Sequence, residues 1–130
     1  MFVDTSVLVA ILSREDDAET FSERLAVAAE LCTSPLVVLE AVMRLSSKLD
    51  LSPARALASV NASLAEARIS VVPITEADSA TAVAAFETYG KGRGHKAQLN
   101  IADCLSYACA KNRGLRLLYK GNDFAATDLA

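Results

Sequence analysis

The sequence lacks tryptophan, has one histidine, and contains only three prolines and five glycines among 130 residues. The scarcity of helix breakers favours closely packed helices. The cysteines Cys32, Cys104 and Cys109 form no Cys-x-x-Cys pair and, with His95 as the only histidine, argue against a structural zinc site. No apolar run approaches the roughly 20 residues of a membrane span, and no signal-peptide pattern is present, so we expect a cytoplasmic protein without membrane contact.

The length and charge restrict the possibilities further. A chain of 130 residues fits a single domain spanning residues 1–130, and its 52% hydrophobic content is enough for a core. The net charge of −3 argues against a general nucleic-acid coat. It does not exclude a nuclease, because a bound metal ion can supply the positive charge that the protein lacks.

Short apolar segments alternate with helical patterns along the chain. The predicted strands are 1–3, 31–33, a buried strand at 69–74, and 115–119. The predicted helices follow Asp4, run from the acidic cluster 15–17 to about Glu30, and then occupy about 34–48, 52–68, 75–90 and 98–112. This alternation predicts an α/β fold with a short central parallel sheet sandwiched by helices.

Acidic residues stand at informative places in this pattern. Asp4 ends the first strand, and Asp123 lies just past the last one, where ligands of open α/β sheets gather. Glu40 and Asp103 lie within apolar helical segments, where a carboxylate must be paired, bind a cation or become protonated. Together these four side chains would make a hard, oxygen-rich site of the kind that Mg²⁺ or Mn²⁺ prefers.

Each acid also has a local explanation. Asp4 can cap the helix that follows it, and Asp123 fits an ordinary turn. Glu40 can pair with the arginine four residues later, and Asp103 can be the third residue of a capping box that begins at Asn100. The joint occurrence of two acids in apolar helices and two at strand ends favours one shared site.

Four parts of the sequence carry a family resemblance: residues 3–6, Glu40, residues 96–104 and residues 117–128. They resemble the PIN-domain ribonucleases, and look most like the VapC-type toxins of bacterial toxin–antitoxin pairs. The resemblance implies a PIN-like fold, a Mg²⁺-dependent endoribonuclease that cuts structured cellular RNA such as transfer or ribosomal RNA, a homodimer, and inhibition by a VapB-like antitoxin. The acids of the family map onto Asp4, Glu40, Asp103 and Asp123.

Two positions depart from the family pattern. Asn122 stands where close relatives often carry a second aspartate, and Ala102 stands where glycine is common. The first departure leaves Asp128 as a substitute for Asp123 as the fourth acid.

The resemblance and the residues together suggest distinct roles for the acids. Asp4 and Asp103 would bind Mg²⁺, with Mn²⁺ able to replace it, directly or through water. Glu40 would hold the attacking water or act as its base, and Asp123 would complete the site or hold a second ion. The ion would lower the pKa of water for attack on phosphorus and neutralise the developing charge.

Other residues would support this chemistry. Thr5 or Ser6 would orient a metal-binding carboxylate. An acidic site also needs cations to hold the RNA backbone, although the loop 91–96 fits an ordinary solvated connection equally well. His95 in that loop is either an RNA contact or without a role. The candidates for RNA binding are Arg44, Lys91, Arg93, Lys96 and Lys120.

Two other classes of function compete with a nuclease. The first strand followed by Asp4 is similar to the pattern that opens the haloacid dehalogenase-type phosphatases. Those enzymes need a second aspartate two residues later, and Ser6 stands at that position here. A response-regulator receiver would use Lys120, but the strand at 69–74 ends without a phosphorylatable aspartate. A non-catalytic module that only binds a protein partner is the second alternative, and the presence of all four acids argues against it.

Overall fold

The computed structural model describes residues 1–130 as an α/β structure with four very short strands and six helices. The strands are β1 (Phe2–Val3), β2 (Cys32–Thr33), β3 (Ser70–Val71) and β4 (Leu117–Leu118). They form one parallel sheet in the order β3-β2-β1-β4, which confirms the predicted fold class. The helices are α1 (Thr5–Leu12), α2 (Ala18–Val27), α3 (Pro35–Lys48), α4 (Pro53–Ala67), α5 (Glu76–Tyr89) and α6 (Ile101–Asn112).

Local capping signals account for where most helices begin. The Ser-Pro pairs predicted to start α3 and α4 do so: the hydroxyls of Ser34 and Ser52 each accept a backbone N–H three residues later at 3.3 Å. The predicted capping box between Thr75 and Asp78 opens α5. The starts of these three helices are therefore determined by residues close to them in the sequence.

Two predicted helix boundaries and one predicted buried strand are wrong. Helix α2 ends at Val27 instead of about Glu30, and α6 begins at Ile101 instead of residue 98 because Asn100 is its cap. The segment 69–74 is not a buried strand: only Ser70–Val71 pairs, and both residues are exposed. The reason is its position, since β3 is an outer strand that pairs only with β2.

The core is organised around β1, which lies between β2 and β4. Phe2 and Val3 are fully buried, and Thr33 donates a buried hydrogen bond of 2.8 Å from its hydroxyl to the carbonyl of Val3. The three cysteines are unpaired and buried. None of the helices has the length and apolar character needed to cross a bilayer. Because all strands are parallel, their carboxyl ends meet at one edge of the sheet.

A buried ion pair fixes α5 against the end of α6. Asp78 is only 1% exposed and accepts hydrogen bonds from Arg113, Asn112 and the backbone of Thr75. Burial by itself would raise the pKa of Asp78, but these hydrogen bonds and the charge of Arg113 outweigh burial and lower the pKa to about 2. Arg113 also donates to the carbonyl of Pro73 at 2.9 Å, so one side chain joins the segment before α5 to the end of α6.

The first prediction concerns this anchor. Asp78→Asn should lower the free energy of unfolding by about 2 to 4 kcal/mol at pH 7, since it leaves the Arg113 guanidinium without its partner. The folded-state pKa lies below the unfolded value, so the stabilisation by Asp78 is present above pH 4 and is lost as the pH falls toward 2. Urea denaturation at pH 7 and thermal melts between pH 5 and 2 measure both effects.

Asp16→Asn is the control, because Asp16 is exposed and makes no hydrogen bond or ion pair. It should change the stability by less than about 0.5 kcal/mol. Equal stabilities of the two variants at pH 7 would contradict a stabilising role of the buried pair.

Candidate active site

Asp4 occupies the point where the central strand turns into a helix. It follows β1 directly and is the N-cap of α1, where its Oδ2 accepts the backbone N–H of Ser6 at 3.0 Å and the Ser6 hydroxyl at 2.7 Å. The residue is only 6% exposed. Since both of these hydrogen bonds use Oδ2, the other carboxylate oxygen is available to a ligand.

Asp103 is held by a similar device at the start of α6. The Asn100 side chain accepts the backbone N–H of Asp103 at 2.9 Å, and Oδ2 of Asp103 accepts the backbone N–H of Asn100 at 3.1 Å. This is the capping box that the sequence allowed as a local explanation. The cap uses only one oxygen of this carboxylate, which is 7% exposed. It therefore orients Asp103 and leaves the second carboxylate oxygen available to a ligand.

The other two acids come from different elements. Glu40 lies in α3, after the end of β2, and is half-buried. The structure contains no ion pair between Glu40 and Arg44, and Arg44 is exposed. Asp123 is exposed in the turn that follows β4. Asp4, Glu40 and Asp123 therefore follow the carboxyl ends of the three neighbouring strands β1, β2 and β4.

Asp103 is coupled electrostatically to the other three acids. The pKa of Asp103 is raised to about 7, first by burial and then by the negative charges of Asp123, Asp4 and Glu40, against the lowering effect of its hydrogen bond from Asn100. Coulomb interactions between charges weaken as the separation grows. The charges of the other three acids that the sequence singled out therefore all act on Asp103.

The donor chemistry of this cluster fits a divalent cation. No three His, Cys, Asp or Glu side chains form a ready ligand set, but Mg²⁺ keeps several waters and commonly uses only one or two carboxylates. A cation would offset the repulsion that raises the pKa of Asp103. The hydroxyl of Thr5, the residue that follows Asp4, is buried and has no hydrogen-bond partner. The residues present fit Mg²⁺ or Mn²⁺.

The basic loop between α5 and α6 is closed at its base and exposed at its tip. Lys91 N–H donates to the Leu99 carbonyl at 2.9 Å, and Leu99 N–H donates to the Tyr89 carbonyl at 3.0 Å. Lys91, Arg93 and Lys96 are exposed. Gly92 and Gly94 have φ values of 82° and 80°, which favour glycine. The loop therefore presents its cations to solvent from a fixed base that leads into α6.

His95 has a structural contact within this loop. Its Nδ1 accepts the backbone N–H of Ala97 at 2.9 Å, and its ring packs edge-on against Tyr89 with centroids 4.9 Å apart. These contacts help to shape the loop.

Two residues considered for the site have other partners. The Lys120 ammonium pairs with Glu15 and Asp17, which the sequence did not indicate because more than one hundred residues separate the partners. Asp128 accepts hydrogen bonds from the Tyr107 hydroxyl and from Lys111, both at 2.6 Å. Among the charges that raise the pKa of Asp103, Asp123 has the largest effect.

Comparison with known proteins identifies the family. The PIN domain family matches residues 1–129, and the chain belongs to this family. It is 44% identical to a VapC ribonuclease of Rhizobium meliloti strain 1021, with 98% of both chains covered. It is also 44% identical to ribonuclease VapC28 of Mycobacterium tuberculosis, covering 98% of this chain and 93% of that one. These relatives place it among the VapC ribonucleases, as the sequence resemblance predicted, and set the phosphotransfer alternatives aside.

Solved structures share the fold. VapC20 of Mycobacterium tuberculosis, a toxin that cleaves the sarcin-ricin loop, superposes with a TM-score of 0.77 at 20% identity, covering 99% of this chain and 95% of that one. A toxin–antitoxin complex from Klebsiella pneumoniae gives a TM-score of 0.70 at 18% identity, covering 98% and 92%. At these identities the likeness establishes the architecture.

The second prediction follows from the repulsion among the acids. In EDTA at pH 8, Asp103→Asn should raise the free energy of unfolding by roughly 1 to 3 kcal/mol, because it removes a buried charge next to three others. The folded-state pKa lies above the unfolded one, so the stability that protonated Asp103 provides is complete below pH 4 and is lost as the pH rises through 7. The advantage of the variant should therefore grow from pH 4 to 8, as measured by chemical denaturation.

Adding Mg²⁺ should reverse the order of the two proteins by stabilising the wild type more than the variant. The idea of a repulsive cluster fails if Asp103→Asn is the less stable protein at pH 8 in EDTA.

Proposed function

We propose that the protein is a Mg²⁺-dependent endoribonuclease toxin of the VapC type, which cleaves structured cellular RNA such as transfer or ribosomal RNA. The observation that carries this proposal is the buried Asp103 carboxylate, whose pKa is raised to about 7 beside Asp123, Asp4 and Glu40. A group of mutually repelling carboxylates at one edge of the sheet is what a divalent cation would stabilise. The ribonuclease relatives support RNA as the substrate.

The position of each of the four acids suggests a different role in the reaction. Asp4 and Asp103 each have a carboxylate oxygen outside their helix caps, so these two residues would hold Mg²⁺, with Mn²⁺ as a substitute. Glu40, half-buried in α3, would orient the attacking water and accept its proton. Asp123, exposed in its turn, would complete the site from the solvent side. When bound, the ion supplies positive charge at the scissile phosphate and lowers the pKa of water.

Exposed cations would hold the RNA backbone, since the protein has a net charge of −3 and the site itself is negative. Lys91, Arg93 and Lys96 in the α5–α6 loop and Arg44 in α3 are exposed and make no ion pair. Arg44 lies one turn after Glu40 in α3, and the loop leads into α6, which carries Asp103, so these cations would be available for phosphate contacts on a folded RNA. Recognition of structured RNA by shape and backbone requires such scattered contacts.

The partners follow from the VapC assignment. We infer that a VapB-like antitoxin neutralises the enzyme, in line with the toxin–antitoxin complex that shares its fold. A second copy of the chain is the other expected partner, and Leu39, Met43, Val83 and Phe86 provide exposed apolar surface for it on α3 and α5. A toxin of this kind would act in the cytoplasm, where its RNA targets are.

The third prediction tests the carboxylate site directly. Asp103→Asn should reduce RNA cleavage by at least about 1000-fold while the protein remains folded, because the variant keeps the helix cap but loses a charged ligand. Cleavage is measured on purified transfer and ribosomal RNA with and without Mg²⁺, and folding by circular dichroism. Asp16→Asn, a change of the same kind on the surface, should cleave like the wild type. Wild-type rates for Asp103→Asn, or cleavage that EDTA leaves unaffected, would disprove the proposal.

The fourth prediction decides between the two candidates for the last acid. Asp123→Asn should lower the rate of cleavage about 10- to 100-fold, since its charge acts on Asp103. Asp128→Asn should leave the rate within about twofold of the wild type, because Asp128 bonds to Tyr107 and Lys111 instead. Steady-state kinetics on one RNA substrate compares them, and the opposite ranking would exchange the two assignments.

A further inference from the structure

Lys120 joins two segments that are distant in the sequence. Its ammonium group donates to Glu15 at 2.8 Å and to Asp17 at 2.9 Å, both in the segment between α1 and α2. Lys48, at the end of α3, adds a bond of 3.3 Å to the second oxygen of Glu15. The loop after β4 is thereby attached to the α1–α2 segment by ion pairs whose side chains are only about one-third exposed.

The backbone of the same residue reaches the carboxylate cluster. The Lys120 N–H donates to the Ser6 hydroxyl at 2.9 Å, and that hydroxyl donates to Oδ2 of Asp4 at 2.7 Å. Ser6 thus has its acceptor and its donor capacity both engaged, and its rotation is fixed from both sides. Asp123 follows Lys120 by three residues in the same loop. The position of Lys120 therefore bears on two of the four acids.

The ion pairs of Lys120 also limit its ability to bind a phosphate. Two carboxylates already surround its ammonium group, and an RNA phosphate would have to displace them. We propose that Lys120 is a positioning residue: its side chain clamps the loop after β4 to Glu15 and Asp17, so that its backbone amide and Ser6 hold the Asp4 carboxylate in place. This inference rests on the proposed function, since it assigns Lys120 a role in the same site, and it removes Lys120 from the RNA contacts.

The variant Lys120→Met tests the clamp because methionine keeps the length of the side chain and the backbone amide. We expect kcat for RNA cleavage to fall about 10-fold and the Mg²⁺ concentration for half-maximal activity to rise, as is typical when a group that orients a metal ligand is lost. KM for RNA and its salt dependence should stay the same. Lys120→Arg, which keeps the charge and the donors, should restore most of kcat.

Glu15→Gln separates the clamp from an RNA contact. A clamp predicts that this variant loses kcat in the same direction as Lys120→Met, because Lys120 loses a charged partner. An RNA contact predicts the opposite, because Lys120 would be released to bind phosphate and the RNA would bind more tightly. In that case Lys120→Met would raise KM and reduce the salt slope of binding by about one.

Lys111→Met is the matched control. Lys111 forms an ion pair of 2.6 Å with Asp128, so the variant removes the same kind of group without affecting Ser6 or Asp4. Its kcat, KM and Mg²⁺ requirement should equal those of the wild type.

Hydrogen–deuterium exchange of residues 119–124, without RNA or metal, gives a readout that does not depend on activity. Exchange should increase in Lys120→Met and Glu15→Gln, but not in Lys120→Arg or Lys111→Met. Unchanged exchange and unchanged kcat in Lys120→Met, or tighter RNA binding by Glu15→Gln, would overturn the proposal. A wild-type protein that neither cleaves RNA nor responds to Mg²⁺ would disprove the proposed function alone, since the exchange experiment would still report on the clamp.

Discussion

Mutual repulsion among carboxylates is the constraint that the rest of this structure has to satisfy. Asp103 is nearly buried, and its pKa rises to about 7 because burial and three neighbouring acids all disfavour its charge. Such a cluster forms only if the surrounding fold holds its members in place more strongly than they repel one another. The sheet meets this need, since its parallel strands β1, β2 and β4 all end on the side from which Asp4, Glu40 and Asp123 emerge.

Helix caps provide the remaining control over the acids. Asp4 and Asp103 are at once ordinary capping residues and members of the cluster, because each uses one carboxylate oxygen for the cap. Helix capping and a place in the acidic cluster are therefore compatible roles for these residues, and the hydrogen bonds of the cap orient the side chain. The hydrogen bond that the backbone N–H of Asn100 donates to Asp103 also favours the charged form of that carboxylate, which partly offsets the effect of burial.

The sequence was informative where the determining interactions are local. Ser34-Pro35, Ser52-Pro53 and the Thr75–Asp78 box predicted the starts of three helices. For the candidate site, apolar surroundings and strand ends were enough to single out four acids whose charges interact in the structure. Failure came where distant parts of the chain decide the outcome. The β-branched residues at 69–74 could not reveal that this segment lies at the outside of the sheet. Nothing near Lys120 or Arg113 in the sequence indicated that their partners are Glu15 and Asp78.

The α5–α6 pair is held at both of its ends, and this affects which residues of the connecting loop can change. At one end Arg113 locks onto Asp78, and at the other the backbone bonds of Lys91 and Leu99 close the base of the loop. The base of the loop is thus held by bonds that do not involve the residues between Lys91 and Leu99. We therefore expect changes of length or charge between these bonds to alter contacts with RNA and to leave Asp103 in place.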